Sequence, residues 1–199
     1  MMTLAPLVHD HDTLLFCLPQ QAEAAMSTLE DGLDQVVAVC ILGQHEDQGA
    51  AAQSAANHVL DSALRLDVPL FVDTRHVSDL GSLDFTPFSG AVCHANQVKF
   101  LRKTMDSEAT LVVDAGISRH DAMTGAEVGA DAVLFRQSAE QLAVDLYPED
   151  DEGPQDVASL YAWWEQLMEP PAILDIDSLD ETPPWMDHVE FVAVQATLA

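Results

Sequence analysis

A serine and a histidine, Ser118 and His120, lie two residues apart shortly after the apolar run TLVVDA. Histidine titrates near neutral pH, so His120 can act as a general acid or base. The Ser118 hydroxyl can donate a hydrogen bond to a phosphate or carbonyl oxygen of a substrate. The pair predicts proton-transfer chemistry, with His120 as the candidate catalytic residue. The alternative is that His120 is a solvent-facing residue near the start of a helix.

Arginines follow three of the apolar runs in a chain that has only seven Lys and Arg residues. They are Arg75, Arg119 and Arg136, and the planar fork of an arginine can donate two parallel hydrogen bonds to a phosphate. The pattern predicts a site for a small phosphorylated ligand. Each arginine could instead pair with one of the many nearby carboxylates, an interaction that stabilises little at a protein surface.

Further polar residues follow other apolar runs, and we count four of them as candidate ligand-binding residues: Asp73, His94, Asn96 and Gln97. Asp175 and Asp177 flank Ile176, so on a strand their side chains point the same way. They could coordinate Mg²⁺. An equally strong alternative is that one caps a turn and the other is solvated, and we therefore assign no metal site.

All these candidates lie at or just after the ends of short apolar runs, which recur eight times between segments that are mostly compatible with helices. The runs are residues 13–18, 36–42, 68–73, 90–95, 110–115, 132–135, 172–176 and 190–194. Continuous apolar character is typical of strands buried on both faces of a parallel sheet. Strands that alternate with helices indicate βαβ units. We therefore predict an α/β fold with parallel strands.

Eight such units favour a closed barrel over the alternative, an open doubly wound sheet. We predict a minimal (βα)8 TIM-type barrel that spans residues 1–199 as one domain. Its active site would lie where the carboxyl ends of the strands converge on one mouth, which would gather the candidate residues. The last connection, residues 178–188, contains Pro183 and Pro184 and cannot hold a full helix. A degenerate last helical layer is expected.

The charge of the chain excludes some partners, because 34 acidic residues outnumber seven basic ones and give a net charge of −27. Such a surface repels nucleic acids and anionic membranes. No run is long enough for a membrane span and residues 1–12 lack the pattern of a signal peptide, so we expect a cytoplasmic protein. Cys17, Cys40 and Cys93 each lie in an apolar run and are expected to be buried and unbridged. The oligomeric state stays open, with a homodimer among the options.

Several segments resemble the thiamine phosphate synthase family and its relative, the thiazole tautomerase. Gly116-Ile117-Ser118-Arg119-His120 is similar to the family's glycine, serine and histidine motif after the fifth strand. Gly129-Ala130-Asp131 followed by AVLF resembles its Gly-Ala-Asp approach to the sixth strand. The segment Ser89–His94 with Asn96 and Gln97 is similar to its turn after the fourth strand, and Phe191–Val194 to its last strand. The resemblance covers roughly residues 68–198.

The resemblance implies a transferase of thiamine biosynthesis that joins an aminopyrimidine pyrophosphate to a thiazole phosphate with Mg²⁺. The chain departs from the family at several of the positions that bind its substrates. The second run ends in CILGQ, without the family's cations, and the seventh ends in Asp175-Ile176-Asp177 where the family has Gly-Gly-Ile. We therefore expect weak or no synthase activity, and Mg²⁺ only if that activity is retained. The alternatives are a non-enzymatic binding or regulatory barrel, a tautomerase-like enzyme in which His120 carries the proton, and a different enzyme that uses rim carboxylates with a metal.

Overall fold

Eight parallel strands form a closed barrel in the computed structural model, which describes residues 2–3, 11–31, 35–42, 48–136, 157–176, 186 and 189–198. Two short strands, β1 and β10, pair antiparallel with each other outside the barrel. The ten strands are β1 Met2–Thr3, β2 Asp12–Cys17, β3 Val36–Ile41, β4 Leu70–Asp73, β5 Gly90–Cys93, β6 Thr110–Gly116, β7 Ala132–Phe135, β8 Ala172–Asp175, β9 Phe191–Gln195 and β10 Thr197–Leu198. Each barrel strand pairs with the next in sequence, and the β2–β9 pair closes the ring. The predicted parallel barrel is confirmed, whereas the outer pair was not predicted.

Five α-helices lie within the described residues: α1 Ala22–Glu30, α2 Gln48–Leu66, α3 Val98–Thr104, α4 Arg119–Glu127 and α5 Val157–Leu167. None of them is both long and apolar enough to cross a membrane. The connection between β4 and β5 holds only the 3-10 turn Leu80–Ser82. Gly81 and Pro87 disfavour a helix there. The connection 178–188, for which a degenerate helical layer was expected, lies outside the described residues apart from Met186.

The strands bury side chains on both faces, and the two faces belong to different apolar clusters. An outer cluster joins strands to helices, and an inner cluster consists of strand residues together with Leu42. On β4, Leu70 and Val72 belong to the outer cluster and Phe71 to the inner one. Because side chains alternate along a strand, Asp73 faces the barrel interior. The same alternation from Val112 turns Asp114 of β6 inward.

The three cysteines are buried and unbridged, as the sequence predicts. Burial raises the pKa of Cys17 and of Cys93 to about 12. Burial also raises the pKa of Cys40 well above its ordinary value. All three thiols therefore stay protonated at neutral pH and act as small apolar groups in the core.

Candidate functional site: an ion-pair network at the barrel mouth

Arg75 bridges two buried carboxylates where β4 and β6 end. Its Nε and Nη2 donate to Oδ1 and Oδ2 of Asp73, both at 2.9 Å, and its Nη1 donates to Oδ2 of Asp114 at 2.6 Å. Its backbone N–H also donates to Asp73 Oδ1 at 3.0 Å. Below the guanidinium lies the ring of Phe16, with its centroid 5.5 Å from Cζ. These contacts fix Arg75 within the mouth.

Arg136, just after β7, pairs with Asp114 from another side. Its Nε donates to Asp114 Oδ1 at 3.0 Å, and its Nη2 lies 2.8 Å from Oδ2. The Arg136 backbone N–H donates to the Gly116 carbonyl at 2.9 Å, which fixes it beside the turn from β6 to α4. Gly116 has φ +54°, a left-handed conformation that glycine adopts readily, and its N–H donates to Asp114 Oδ1 at 3.0 Å.

The network contains two carboxylates and two guanidiniums, so its formal charges cancel. Burial alone would raise the pKa of Asp114, but Arg75, Arg136 and the Gly116 N–H outweigh it and hold that pKa below its ordinary value. Burial alone would lower the pKa of Arg75, but Asp73 and Asp114 raise it above its ordinary value. Asp114 and Arg75 are therefore charged at neutral pH. The Arg75 side chain is 9 % exposed and that of Arg136 is 29 % exposed, so Arg136 is the more accessible cation.

Gln97 joins the loops that follow β4 and β5. Its Nε2 donates to the Thr74 carbonyl at 2.8 Å, and its Oε1 accepts from the His94 backbone N–H at 2.8 Å. The fully buried Thr74 hydroxyl donates to the Val92 carbonyl at 3.2 Å. The Gln97 side chain thus holds the two loops together, while the side chains of His94 and Asn96 are exposed. Partial loss of hydration lowers the pKa of His94 and, together with nearby Arg75, outweighs the opposite effect of Asp114.

Ser118, Arg119 and His120 form the start of α4. Ser118 is the N-cap, and its hydroxyl oxygen accepts from the Asp121 backbone N–H at 3.1 Å. Arg119 turns to α5, where its Cζ lies 4.8 Å from the centroid of the Trp163 ring. His120 is exposed in the first turn of the helix. The structure therefore brings Arg75, Arg136 and Asp73 together and leaves Arg119 on a helix outside the strands.

Asp114 is the residue of the network that is absent from the candidates of the sequence analysis, because it lies within the apolar run TLVVDA. The available signal was its position two residues after Val112, which makes it an inward-facing charge that needs a partner. Asp175 at the end of β8 is half-buried, and Asp177 lies outside the described residues. Within the described ranges, no three His, Cys, Asp or Glu side chains are grouped closely enough to hold a metal ion.

Several solved structures are similar to this chain in fold. Thiamine phosphate pyrophosphorylase from Pyrococcus furiosus superposes with a TM-score of 0.63 at 11 % identity, over 95 % of this chain and 87 % of that one. A putative fructose-1,6-bisphosphate aldolase from Coccidioides immitis superposes with a TM-score of 0.58 at 12 % identity, over 96 % of this chain and 80 % of that one. The native KDPGal structure superposes with a TM-score of 0.57 at 16 % identity, over 98 % of this chain and 84 % of that one.

The similarity of this chain to these structures concerns the fold alone. It confirms at that level the resemblance to thiamine phosphate synthases, and it extends equally to aldolase-type barrels. No protein-family model matches the chain. No curated protein sequence matches it either. The function must therefore be argued from the residues of the mouth.

Proposed function

We propose that the protein is a divergent thiamine phosphate synthase-like barrel that binds a small phosphorylated ligand at its mouth and is weak or inactive in the coupling reaction. The observation that carries this proposal is the closed network of Asp73, Arg75, Asp114 and Arg136. Coupling with release of pyrophosphate requires Mg²⁺ and cations whose charge is directed to the substrate. Here the two buried carboxylates already hold guanidiniums.

Arg136 is the group of the network best suited to a ligand phosphate. Its pairing with Asp114 uses N–H groups on one edge of a guanidinium that has five such donors. Its side chain remains 29 % exposed, and its backbone lies beside the turn that leads into α4. The first-turn N–H groups of a helix add favourable donors for an anion. Asp114 keeps Arg136 oriented, because both of its oxygens accept from that side chain.

Binding of inorganic phosphate and of thiamine phosphate tests this proposal by titration calorimetry. The Arg136→Gln variant should bind roughly ten- to a hundredfold more weakly, because it loses a charge-assisted contact. Arg65→Gln is the matched control, since Arg65 is an exposed arginine on α2 that pairs with Glu30. Equal affinity of Arg136→Gln and wild type would overturn the assignment of the site.

A coupling assay with the aminopyrimidine pyrophosphate, the thiazole phosphate and Mg²⁺ tests the second half of the proposal. The expected result is product formation far below the rate of an authentic synthase, down to none above the rate without protein. Turnover comparable to that of an authentic synthase would contradict the proposed loss of activity, even if phosphate binding at Arg136 were found.

A proton-transferring enzyme is the second candidate function, and His94 is the observation that favours it. Its imidazole is accessible at the end of β5, and its lowered pKa keeps it neutral and able to accept a proton at pH 7. His120, on the first turn of α4, is the other histidine that this candidate could use. Loss of tautomerase activity in His94→Gln but not in His120→Gln would assign the proton carrier to β5.

A further inference from the structure

A cavity of about 470 Å³ opens at the amino ends of the strands, opposite the mouth. Its walls are mostly apolar inward-facing residues, among them Leu14, Ala38, Phe71, Val112, Ile173 and Phe191. The volume lies within the usual range for small-molecule sites, roughly 300–1,000 Å³. The barrel interior is therefore not filled at this end.

Small residues explain why this space exists. Ala38 and Ala132 contribute only a methyl group each to the inner face. Gly90 contributes no side chain, and the ring of Phe71 packs directly against it. A Cβ atom at Gly90 would lie 2.5 Å from Cζ of Phe71 and 2.6 Å from the Thr110 carbonyl oxygen. The Phe71 ring is thus held as one wall of the cavity.

Exposed carboxylates lie at the same end of the barrel as the cavity. An acidic residue begins or closely precedes six of the eight barrel strands, and all six are exposed: Asp12, Asp67, Glu108, Asp131, Glu169 and Glu190. Glu108 and Asp131 line the cavity itself, and Asp131 pairs with Arg102. The described residues that line the cavity include no Lys, Arg or His. The opening is therefore negative and its interior is apolar.

We infer that this cavity is a second binding site, for a small hydrophobic ammonium compound. An apolar cavity excludes a strongly hydrated ion, and the acidic rim repels an anion. A ligand with an apolar body and a cationic head matches both the apolar interior and the acidic rim. Its body fills the cavity and its head stays at the rim. Phe71 and Phe191 add aromatic walls that attract a cation. This site is independent of the proposed phosphate site at the mouth.

Binding of benzyltrimethylammonium, measured by NMR chemical-shift titration of the full chain, tests this inference. Benzyl alcohol serves as the neutral probe and benzoate as the anionic one. The ammonium should bind at least several times more tightly than benzyl alcohol, and benzoate should not bind. Added salt should weaken the binding of the ammonium and leave the binding of the alcohol unchanged. Equal binding of the ammonium and the alcohol would overturn the inferred preference for a cation, and binding of neither would identify the cavity as a packing void.

Substitutions locate the site. Ala132→Leu and Ala38→Leu fill the cavity from β7 and β3, and either one that folds, as checked by its urea transition, should abolish ammonium binding. Glu108→Gln should weaken it about two- to fivefold, the effect of one exposed charge. Asp61→Asn, an exposed change of equal charge on α2, should leave it unchanged. Retained binding in a folded cavity-filling variant, or equal effects of Glu108→Gln and Asp61→Asn, would refute the site.

Discussion

Replacement of Arg75 by Met tests the network that defines the mouth. Met keeps part of the apolar stem but removes three N–H···O contacts of 2.6–2.9 Å, two to Asp73 and one to Asp114. In this variant Asp114 still accepts hydrogen bonds from Arg136 and the Gly116 N–H. Of the contacts described above, Asp73 retains the one from the backbone N–H of residue 75. Removing one partner of a buried ion pair costs about 3–5 kcal/mol. We expect a loss of that size in the free energy of unfolding, measured by urea denaturation at pH 7.

Two controls make this prediction specific. Arg65→Met removes an exposed ion pair with Glu30 and should cost at most about 1 kcal/mol. The double variant Asp73→Asn/Arg75→Met should recover much of the stability, because the unpaired charge is gone. A loss in Arg75→Met no larger than that in Arg65→Met, or no recovery in the double variant, would refute the reasoning.

The pH dependence follows from the lowered pKa of Asp114. A carboxyl whose pKa is lowered by folding stabilises the native state above its ordinary pKa, and this contribution is lost as the pH falls through its folded value. The wild type should therefore lose stability on acidification below the ordinary carboxyl range. Arg75→Met should lose less over the same range, because acid neutralises the carboxylate that has lost its partner.

Three further predictions concern other parts of the structure. Gly90→Ala should lower the free energy of unfolding by about 1–3 kcal/mol, because the added methyl meets the Thr110 backbone, whereas Ser89→Ala on the exposed neighbour should change it little in the same urea experiment. Cys17 and Cys93, with a pKa of about 12, should not react with a thiol-specific dye in the native state at pH 8, and fast labelling without urea would contradict their burial. Arg119→Ala should lower the free energy of unfolding by about 0.5–2 kcal/mol, because contact with Trp163 is lost, and should leave the phosphate affinity unchanged. A lower phosphate affinity in the calorimetric titration would instead show that Arg119 contacts the ligand.

The barrel could be predicted from the sequence because its signal is repeated. Each apolar run is weak evidence alone, but eight runs separated mostly by helix-compatible segments favour one closed parallel sheet. The missing helix between β4 and β5 has a local signal in Gly81 and Pro87. Alternation from Val112 could also have assigned Asp114 to the barrel interior, since a buried charge requires a partner.

The partners within the mouth could not be predicted, because they depend on distances between separate strands. Arg75, Arg119 and Arg136 each lie within four residues after the end of an apolar run, yet Arg75 and Arg136 pair with Asp114 whereas Arg119 contacts Trp163. Arg119 lies one residue inside α4, and its direction is set by Trp163 of α5, more than 40 residues away in sequence. The cavity at the opposite end likewise depends on small residues of two strands, Ala38 and Ala132, that no local pattern connects.

A crystal structure of the protein soaked with thiamine phosphate, pyrophosphate and Mg²⁺ tests the central claim most directly. The account predicts phosphate density beside Arg136, with the Arg75 guanidinium still between Asp73 and Asp114. Mg²⁺ bound by those two carboxylates with Arg75 displaced, or phosphate bound at the mouth without contact to Arg136, would contradict it.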